Sequence, residues 1–436
     1  MEFLDEVRSR EVKVSVIGLG YVGLPLAVAV AGSDYNTTGI DIDQKTLAGL
    51  EEPSGQVNGI EGEQIKKLLD PGKLELSGDY SAAEDSGVLL VTVPTPLDEF
   101  REPDMSYVRR SLRGISPFIN KGDMVILEST LYPRATEDEV APLLEDETDL
   151  VPGEDFHLVF SPERVDPGNK NYGLQNVPKV VGGVSKEGTK LAKEFYETVL
   201  DSEVYTVSSP RVAEMEKLLE NIYRNVNIAL VNELANLCEE MDIDIWETIE
   251  AASTKPYGFQ PFYPGPGVGG HCIPVDPFFV SWKAREYGAD ARFIELAGRI
   301  NRNRPGYVAK RVSEALNEAE KSLQSSSVLV VGVAYKKNIS DVRNSPALEI
   351  IRELRHRGAD VSYSDPHVDR LGLENGQVLE SRELEQELLR KVDVAVIVTD
   401  HTEFDYEFIV EEASLVLDTR NATGDISGEV ENVARI

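Results

Sequence analysis

The fold of this chain is decided near its N-terminus, where residues 12–23 read Val12-Lys13-Val14-Ser15-Val16-Ile17-Gly18-Leu19-Gly20-Tyr21-Val22-Gly23. The first six residues favour a buried β-strand, and an apolar, alanine-rich helix is predicted from about Tyr21 to Ala31. A second strand, residues 37–40, ends at Asp41. Strand, glycine turn, helix, strand and acid in this order predict a Rossmann-type unit that binds a dinucleotide.

Each of these residues has its own expected task. Gly18 allows the tight turn, Gly20 lets a pyrophosphate approach the backbone, and Gly23 lets the helix pack on the strand. The Asp41 carboxylate suits the adenosine ribose hydroxyls and would repel a 2′-phosphate, so NAD is predicted rather than NADP. The alternative is a glycine-rich turn in another kind of α/β unit.

Length and composition limit the class of protein. A chain of 436 residues with 41% hydrophobic and 28% charged residues predicts a folded protein of two or three domains. No apolar run is long enough to span a membrane, and the N-terminus is acidic and lacks an apolar segment, so no signal peptide is predicted. With two cysteines, Cys238 and Cys272, the sequence predicts a reducing, cytoplasmic location.

The charge is strongly acidic and spread along the chain. The net charge is −33, from 77 acids against 44 bases. This pattern indicates a solvated acidic surface, which favours a halophile's protein over a merely acidic one from a mesophile. Neither nucleic acid nor an anionic membrane is an expected partner.

Three further predicted strands, near residues 86–93, 123–127 and 157–160, end in polar loops. These loops are Pro94-Thr95-Pro96, Glu128-Ser129-Thr130 and Ser161-Pro162-Glu163-Arg164. Because ligands bind at the carboxyl edge of a parallel sheet, we expect the three loops to share one site. Each loop alone could be ordinary turn chemistry. This domain is expected to end near residue 205.

A long helix is predicted over residues 209–241. Glu214, Lys217, Asn221 and Arg224 share one face of it. Such a face is usually solvated, but in a helix that joins two domains it could line a cleft. Cys238 and Trp246 are predicted in the core.

A second α/β unit follows from residue 328. Its first strand opens onto a loop with three cations, Lys336, Lys337 and Arg343, and its last strand ends at Arg420. These cations either bind a ligand phosphate or form salt bridges with nearby acids.

The loop Gly267-Val268-Gly269-Gly270-His271-Cys272-Ile273-Pro274-Val275-Asp276-Pro277 holds the second cysteine. Glycines bring the backbone close to its sulfur, so the thiol suits a nucleophile that a bulky ligand can reach. The alternative is a buried cysteine beside a turn. Adjacent residues such as His271 and Cys272 rarely bind one ion together, so no metal is predicted.

Together these motifs resemble those of the UDP-glucose/GDP-mannose dehydrogenase family, from about Lys13 to Arg420. The resemblance implies oxidation of the C6 alcohol of a UDP-sugar to a carboxylate with two NAD and one water. It also implies an α/β fold in which two Rossmann-like parallel-sheet domains, residues 1–205 and 316–436, are joined by a central helical domain, residues 206–315, with a long helix. A homodimer through the central domain is expected.

The same resemblance assigns roles to residues. Cys272 is the expected nucleophile, Lys217 and Asn221 stabilise oxyanions on C6, and Asp276, Thr130 and Glu163 serve the water that hydrolyses a thioester. NAD is expected at Gly18, Gly20, Tyr21, Val22, Gly23, Asp41, Lys45, Pro94, Thr95, Thr130 and Arg343. The UDP-sugar is expected at Glu163, Arg164, Lys217, Asn221, Tyr257, Gly269, Lys336 and Arg420.

Within the family, Gly270 to Phe279 resemble the branch that acts on UDP-N-acetylhexosamines, because Val275 stands where UDP-glucose enzymes usually have lysine. UDP-N-acetylmannosamine or UDP-N-acetylglucosamine is the expected substrate, and polysaccharide biosynthesis the expected use. The chain departs from its relatives at Arg134, often glycine, and at Pro167, a glutamate in UDP-glucose enzymes. A one-step β-hydroxyacid dehydrogenase and a non-catalytic sugar-nucleotide sensor are the alternatives.

Overall fold

A computed structural model describes residues 2–53, 56–57, 60–166, 169, 171–373, 376–427 and 430–436. Its Cα positions divide into two units. The first unit comprises the chain up to Glu220 together with Phe278–Ala289, and the second comprises Asn221–Pro277 and Asp290–Ile436. Pro167 lies outside the described residues. The predicted domain boundaries near residues 205 and 315 stay predictions.

The strands follow one another along the described chain at short, regular intervals. They are β1 (Lys13–Ile17), β2 (Thr37–Ile40), β3 (Gln56–Val57), β4 (Ile60–Glu61), β5 (Leu74–Ser77), β6 (Ser86–Val91), β7 (Met124–Leu127), β8 (His157–Phe160), β9 (Lys179–Gly183), β10 (Val204–Thr206), β11 (Ser327–Val331), β12 (Asp360–Ser364), β13 (Arg370–Gly372), β14 (Val378–Glu380), β15 (Val394–Ile397), β16 (Val416–Asp418) and β17 (Val433–Arg435).

Helices connect most of these strands. They are α1 (Glu2–Ser9), α2 (Gly23–Gly32), α3 (Gln44–Glu51), α4 (Gly62–Leu69), α5 (Ser106–Ile115), α6 (Ala141–Thr148), α7 (Lys186–Val199), α8 (Pro210–Glu240), α9 (Ile245–Ser253), α10 (Asp276–Glu286), α11 (Arg292–Glu318), α12 (Pro346–His356), α13 (Gln386–Lys391) and α14 (Tyr406–Glu412). A π-helical turn, Thr136–Val140, precedes α6. Among the helices described, none is long and apolar enough to cross a membrane.

The first unit is built on one large sheet. In the described chain its strand order is β10-β9-β8-β7-β6-β1-β2-β5, and neighbours are parallel except β8 and β9. The run β5-β2-β1-β6-β7-β8 has the doubly wound order of a dinucleotide-binding fold. Strands β2 and β7 are buried at every residue, because helices cover both faces of such a sheet. The predicted Rossmann unit is therefore confirmed.

The second unit contains a smaller parallel sheet, in the order β12-β11-β15-β16-β17. Numbered along the chain this is 2-1-3-4-5, the other common doubly wound order, whose ligand crevice lies at the carboxyl ends of the neighbouring strands β11 and β15. Helices α11 and α12 contribute buried residues to a core with one face of the sheet, and α13 and α14 with the other. The predicted class, α/β with two Rossmann-like sheets and a long helix, is confirmed.

Local differences from the sequence prediction are small. The helix expected from Tyr21 begins at Gly23, because Tyr21 and Val22 still belong to the turn. The long helix is α8, and its polar face is not solvated as such faces usually are. Glu214, Lys217 and Asn221 on this face are all buried. Cys238 is buried as predicted, and Trp246 packs against its cluster.

Candidate active site

The loops after β1, β6 and β7 meet at one edge of the first unit's sheet. Gly18, directly after β1, has a φ of +92° and donates its N–H to the carbonyl of Ile40 at 2.8 Å. The Thr92 hydroxyl donates to the Gly18 carbonyl at 2.7 Å. The Thr95 hydroxyl donates to the Thr130 carbonyl at 2.8 Å. Of the three loops predicted to share one edge, those after β6 and β7 are therefore confirmed as neighbours, and the glycine turn after β1 lies beside them.

Two glycines of the turn differ in the space around them. A Cβ on Gly23 would lie 1.8 Å from the Gly18 carbonyl oxygen, so any side chain here would break the strand–helix contact. A Cβ on Gly20 would meet no described heavy atom within 4 Å, so the backbone is open to a ligand at this point. The carboxylate of Asp41 accepts the N–H of Leu19 at 2.8 Å. This turn therefore fits a dinucleotide.

The other residues expected at the dinucleotide surround the same edge. Tyr21 and Val22 precede α2, Lys45 lies in the first turn of α3, and Pro94 follows β6. The Lys45 N–H is donated to the capping carboxylate of Asp43 at 3.1 Å.

Glu163 belongs to a buried group of charges that we name the Lys179 cluster, formed by Glu128, Glu163, Lys179 and Tyr196. The Lys179 Nζ lies 2.6 Å from Glu128 Oε2 and 3.1 Å from Glu163 Oε2. The Tyr196 hydroxyl donates to the other oxygen of Glu128. Side-chain exposures are 0% for Glu128, 3% for Lys179 and 14% for Glu163.

The two carboxylates of this cluster respond differently to burial. Burial raises the pKa of Glu128, and the nearby Lys179 offsets this only in part. Burial also pushes the pKa of Glu163 upward, but the Lys179 charge and the Val165 N–H outweigh it, so the pKa falls below 4.5. Glu163 is therefore an ionised carboxylate at neutral pH.

The Arg164 side chain is hydrogen-bonded to neighbouring residues. Its Nε donates to Glu220 of α8 at 3.0 Å and its Nη1 donates to the Pro178 carbonyl at 2.8 Å. In this structure the side chain therefore anchors the loop after β8. Lys217 is buried in the same stretch of α8.

Glu214, one turn before Lys217, is a buried carboxylate held by hydrogen bonds. It accepts the Thr136 N–H at 2.8 Å, the Thr136 hydroxyl at 2.6 Å and the Arg134 N–H at 2.5 Å. Burial raises its pKa to about 7 despite these bonds. Arg134 has a φ of +75°, a backbone conformation that glycine adopts more readily than arginine.

In the second unit the cysteine loop leads directly into α10. The Cys272 carbonyl accepts the N–H groups of Val275 at 3.0 Å and Asp276 at 2.8 Å. The thiol-bearing residue is half-buried, whereas Asp276 is buried. Asn221 Nδ2 donates to Asp276 Oδ2 at 2.5 Å, and Arg224 donates to Asn221 Oδ1. Three residues expected at the reacting carbon, Cys272, Asp276 and Asn221, are thus joined in one unit.

The same loop packs on the loop after β11. The Gly270 N–H is donated to the Arg343 carbonyl at 3.1 Å, and Asn344 Nδ2 donates to the Gly270 carbonyl at 3.0 Å. A Cβ on Gly269 would lie 2.6 Å from the Cβ of Tyr335, so only glycine fits. The cysteine is therefore held against the loop that carries the predicted phosphate cations.

Two of those three cations also pair with acids. Arg343 forms a bidentate contact with Asp341, with Nη2 and Oδ2 2.6 Å apart. Lys337 Nζ lies 3.7 Å from an oxygen of Asp400. The salt-bridge alternative thus holds for these two residues, and Lys336, which directly precedes Lys337, is half-buried.

Arg420 and Tyr257 differ in their surroundings. Arg420 Nε donates to the Val398 carbonyl at 3.0 Å, and a Cβ on Gly265 would lie 2.8 Å from its Nη1. Arg420 therefore touches the segment that leads to Cys272. Tyr257 follows α9 and is 72% exposed. The Lys255 ammonium lies over its ring.

A buried amide cluster, Asn225, Asn232, Asn301 and Arg304, was not predicted. Asn301 Nδ2 donates to Asn225 Oδ1 at 2.9 Å, and Asn232 Nδ2 donates to Asn301 Oδ1 at 3.0 Å. The N–H of Gly265 is donated to Asn232 Oδ1, and Arg304 Nε donates to the Gly265 carbonyl, each at 2.9 Å. The cluster holds the backbone before the cysteine loop. The repeated asparagines in α8 were the signal for it.

His367, His401 and Glu403 form a group with metal-ligand distances among the described residues. The Asn338 N–H is donated to His401 Nδ1 at 2.9 Å. The proton of that ring therefore lies on Nε2, which donates to Asp365 at 3.0 Å. Because no lone pair remains on His401, the group does not fit a metal site.

Comparison with known proteins agrees with this arrangement. Three profiles of the UDP-glucose/GDP-mannose dehydrogenase family match the chain: the NAD binding domain at residues 12–200, the central domain at 211–303 and the UDP binding domain at 329–425. The UDP-N-acetyl-D-mannosamine dehydrogenase of Pyrococcus horikoshii is 36% identical over 395 residues, 90% of each chain.

Two further relatives are similar over most of the chain. The UDP-N-acetyl-D-glucosamine 6-dehydrogenase of Pseudomonas aeruginosa is 36% identical over 359 residues, 82% of this chain and 84% of the relative. The solved structure of UDP-D-ManNAc dehydrogenase from Pyrococcus horikoshii superposes with a TM-score of 0.87 at 33% identity. It covers 97% of this chain and 98% of that one.

Proposed function

The chain belongs to the UDP-glucose/GDP-mannose dehydrogenase family, and we propose that it oxidises C6 of UDP-N-acetyl-D-mannosamine from the alcohol to the carboxylate. As a member of this family it is an NAD-dependent oxidoreductase. The observation that carries the proposal is the position of Cys272. Its loop packs on the loop after β11, and Asp276 and Asn221 are hydrogen-bonded to each other beside it.

The proposed reaction balances through Cys272. Conversion of an alcohol to a carboxylate removes four electrons as two hydrides, for which NAD supplies the acceptor when bound. After the first oxidation, the Cys272 thiolate forms a C–S bond to the aldehyde carbon, which gives a thiohemiacetal. The second oxidation leaves a thioester. Water then attacks the carbonyl carbon, the C–S bond breaks, and the thiol, the carboxylate and one proton are released.

The neighbouring residues have roles in charge and water placement. Lys217 and Asn221 stabilise negative charge on the C6 oxygen, an effect worth about 2.7–4 kcal/mol for one such donor. Asp276, held by Asn221, serves as a base or orients one. Glu163 and Thr130 position the hydrolytic water. Arg164, Gly269, Tyr257, Lys336 and Arg420 are assigned to the UDP-sugar.

The turn of Gly18, Gly20 and Gly23 and the Asp41 carboxylate hold the dinucleotide in this proposal. The open backbone at Gly20 supports it, because a pyrophosphate needs close access to main-chain N–H groups. Tyr21, Val22, Lys45, Pro94, Thr95, Thr130 and Arg343 complete the assignment.

The choice of sugar rests on relatives and on the cysteine loop. Relatives named for N-acetylmannosamine and for N-acetylglucosamine are equally similar to this chain, at 36% identity. Val275 in that loop supports an N-acetylhexosamine over glucose. UDP-N-acetylglucosamine is therefore the second candidate.

A homodimer is proposed through α8. In the second unit this helix exposes Tyr223, Leu230, Leu234 and Leu237, which recur at intervals of three, four and seven residues. A contiguous apolar stripe on a water-exposed helix favours pairing with a second copy. Replacing Leu234 and Leu237 by glutamate should give monomers in light scattering, whereas Glu233→Gln should not. A monomeric wild-type protein would refute the pairing.

The test of the function is the number of NADH formed per sugar consumed. UDP-N-acetylmannosamine, UDP-N-acetylglucosamine and UDP-glucose are assayed in molar KCl, since a net charge of −33 suits the cytoplasm of a halophile. Two NADH per sugar for one N-acetyl substrate, lost in Cys272→Ala, is the expected result.

Two other results would change the proposal. One NADH per sugar, unchanged in Cys272→Ala, would indicate a one-step alcohol dehydrogenase. Turnover of UDP-glucose alone would keep the mechanism and overturn the choice of sugar.

A further inference from the structure

We propose that Lys179 is a positioning residue for the hydrolytic half of this reaction, because it fixes the Glu163 carboxylate at the end of β8. The inference rests on the proposed function, in which Glu163 serves the water that attacks the thioester.

Both oxygens of Glu163 are held in place. Oε1 accepts the N–H groups of Arg164 and Val165, each at 2.7 Å. Oε2 faces the Lys179 ammonium at 3.1 Å. Backbone N–H groups bind one oxygen and the Lys179 ammonium binds the other. The carboxylate therefore cannot rotate without losing a charged hydrogen bond.

Lys179 is fixed in turn by the opposite side of the cluster. Its Nζ lies 2.6 Å from Glu128 Oε2 and 5.2 Å from the centre of the Tyr196 ring. Tyr196 donates its hydroxyl to Glu128. The four side chains come from the segments that follow β7 and β8, the start of β9 and the last turn of α7. Such a support keeps a reactive group in one geometry.

Within the cluster, exposure decides which carboxylate meets the substrate. Glu128 is completely buried, whereas Glu163 keeps 14% of its side chain exposed. Two carboxylates and one ammonium make a net charge of −1, and only Glu163 can offer that charge to a water. Without the ammonium, burial and mutual repulsion would protonate one of the two carboxylates.

The experiment measures the thioester itself. Each variant is mixed with NAD and the UDP-sugar that the wild type oxidises, quenched in acid, and examined by mass spectrometry for an acyl adduct on Cys272. Wild type should show almost none. Glu163→Gln and Lys179→Met should both accumulate it, and NADH formation in Lys179→Met should fall by about 100-fold. Lys179→Arg should restore hydrolysis.

A pH profile separates positioning by charge from a merely structural effect. The acid limb of kcat should move to higher pH in Lys179→Met, because Glu163 then binds its proton more tightly. An unchanged profile with lower thermal stability would reduce Lys179 to a structural residue and overturn the proposal.

Two further variants keep the result interpretable. Lys193→Met makes the same change at an exposed lysine of α7, paired with Glu197, and should behave as wild type. The double variant Lys179→Met/Glu128→Gln keeps the net charge of the cluster at −1, so it should fold even where the single variant does not. It should still accumulate the adduct.

Failure of the role of Lys179 and failure of the proposed function would give different results. An adduct in Glu163→Gln but in neither Lys179→Met nor the double variant would overturn the role of Lys179 and leave the function standing. No adduct in any variant, with no NADH from the wild type, would overturn the function and the inference together.

Discussion

The two units each hold a functional loop with a buried polar cluster, but of opposite kinds. The Lys179 cluster of the first unit pairs one ammonium with two carboxylates. The amide cluster of the second unit joins neutral asparagines to the backbone of Gly265, with Arg304 as its one charge. In the Lys179 cluster, the charges determine the protonation states of the side chains. In the amide cluster, the neutral side chains determine only where the neighbouring backbone lies.

This difference predicts different costs when each cluster is broken. A buried ammonium compensates carboxylates that would otherwise be uncharged, so its loss affects both stability and pH dependence. An amide has no charge to compensate, so its loss leaves only unsatisfied hydrogen bonds. The variants below test this contrast.

The largest effect is expected for Lys179→Met. Removing one partner of a buried ion pair costs about 3–5 kcal/mol, because the remaining charges stay buried without compensation. The free energy of unfolding in urea, followed by tryptophan fluorescence in molar KCl, should fall by that amount. The loss should be larger at pH 8 than at pH 5, because protonation of Glu128 or Glu163 relieves the repulsion. An equal loss at both pH values would contradict the electrostatic account.

Glu214 extends the comparison, since among the described residues no ammonium pairs with its buried carboxylate. Its pKa is about 7, so the folded state binds its proton more tightly than the unfolded chain, where the value is near 4.5. The stabilisation is therefore complete below about pH 4.5 and is lost as the pH rises to about 7. Between these values the unfolding free energy should fall by about 3 kcal/mol more in the wild type than in Glu214→Gln. Parallel curves for the two proteins would refute the raised pKa.

The amide cluster is tested by Asn301→Leu. This change leaves Asn225 and Asn232 without their shared partner, which should cost about 1–3 kcal/mol. The cost should be the same at pH 5 and pH 8, because burial lowers the pKa of Arg304 only to about 10. Asn303→Leu, the same change at an exposed position of α11, serves as the control. A cost that varies with pH would show that a charge is involved after all.

The contrast also explains what the sequence could predict. The glycine turn with Asp41 predicts the first sheet, because its signals lie within about thirty residues and each has a local physical cause. The carboxyl-edge loops follow from the rule that parallel strands align their ends. The second sheet was expected because its strands are continuous apolar runs in the sequence.

The clusters could not be predicted in this way, because their members are distant along the chain. Lys179 is 51 residues from Glu128, and Asn232 is 69 residues from Asn301. Lys179 starts a strand that runs antiparallel to β8, and no local pattern in the sequence indicates that pairing. That Asn221 and Asp276 serve one site was likewise expected only through the family resemblance, and their hydrogen bond was not predicted.

The smallest effect is expected at Arg134, which carries a Cβ in a left-handed backbone conformation. Its φ of +75° is unfavourable for any residue with a Cβ, and its N–H is donated to Glu214. Arg134→Gly relieves the strain but removes the pairing with Asp138, whereas Arg134→Ala removes the pairing and keeps the strain. The glycine variant should therefore be more stable than the alanine variant by about 1 kcal/mol in urea unfolding. Equal stabilities would mean that the positive φ at Arg134 does not strain the backbone that Glu214 binds.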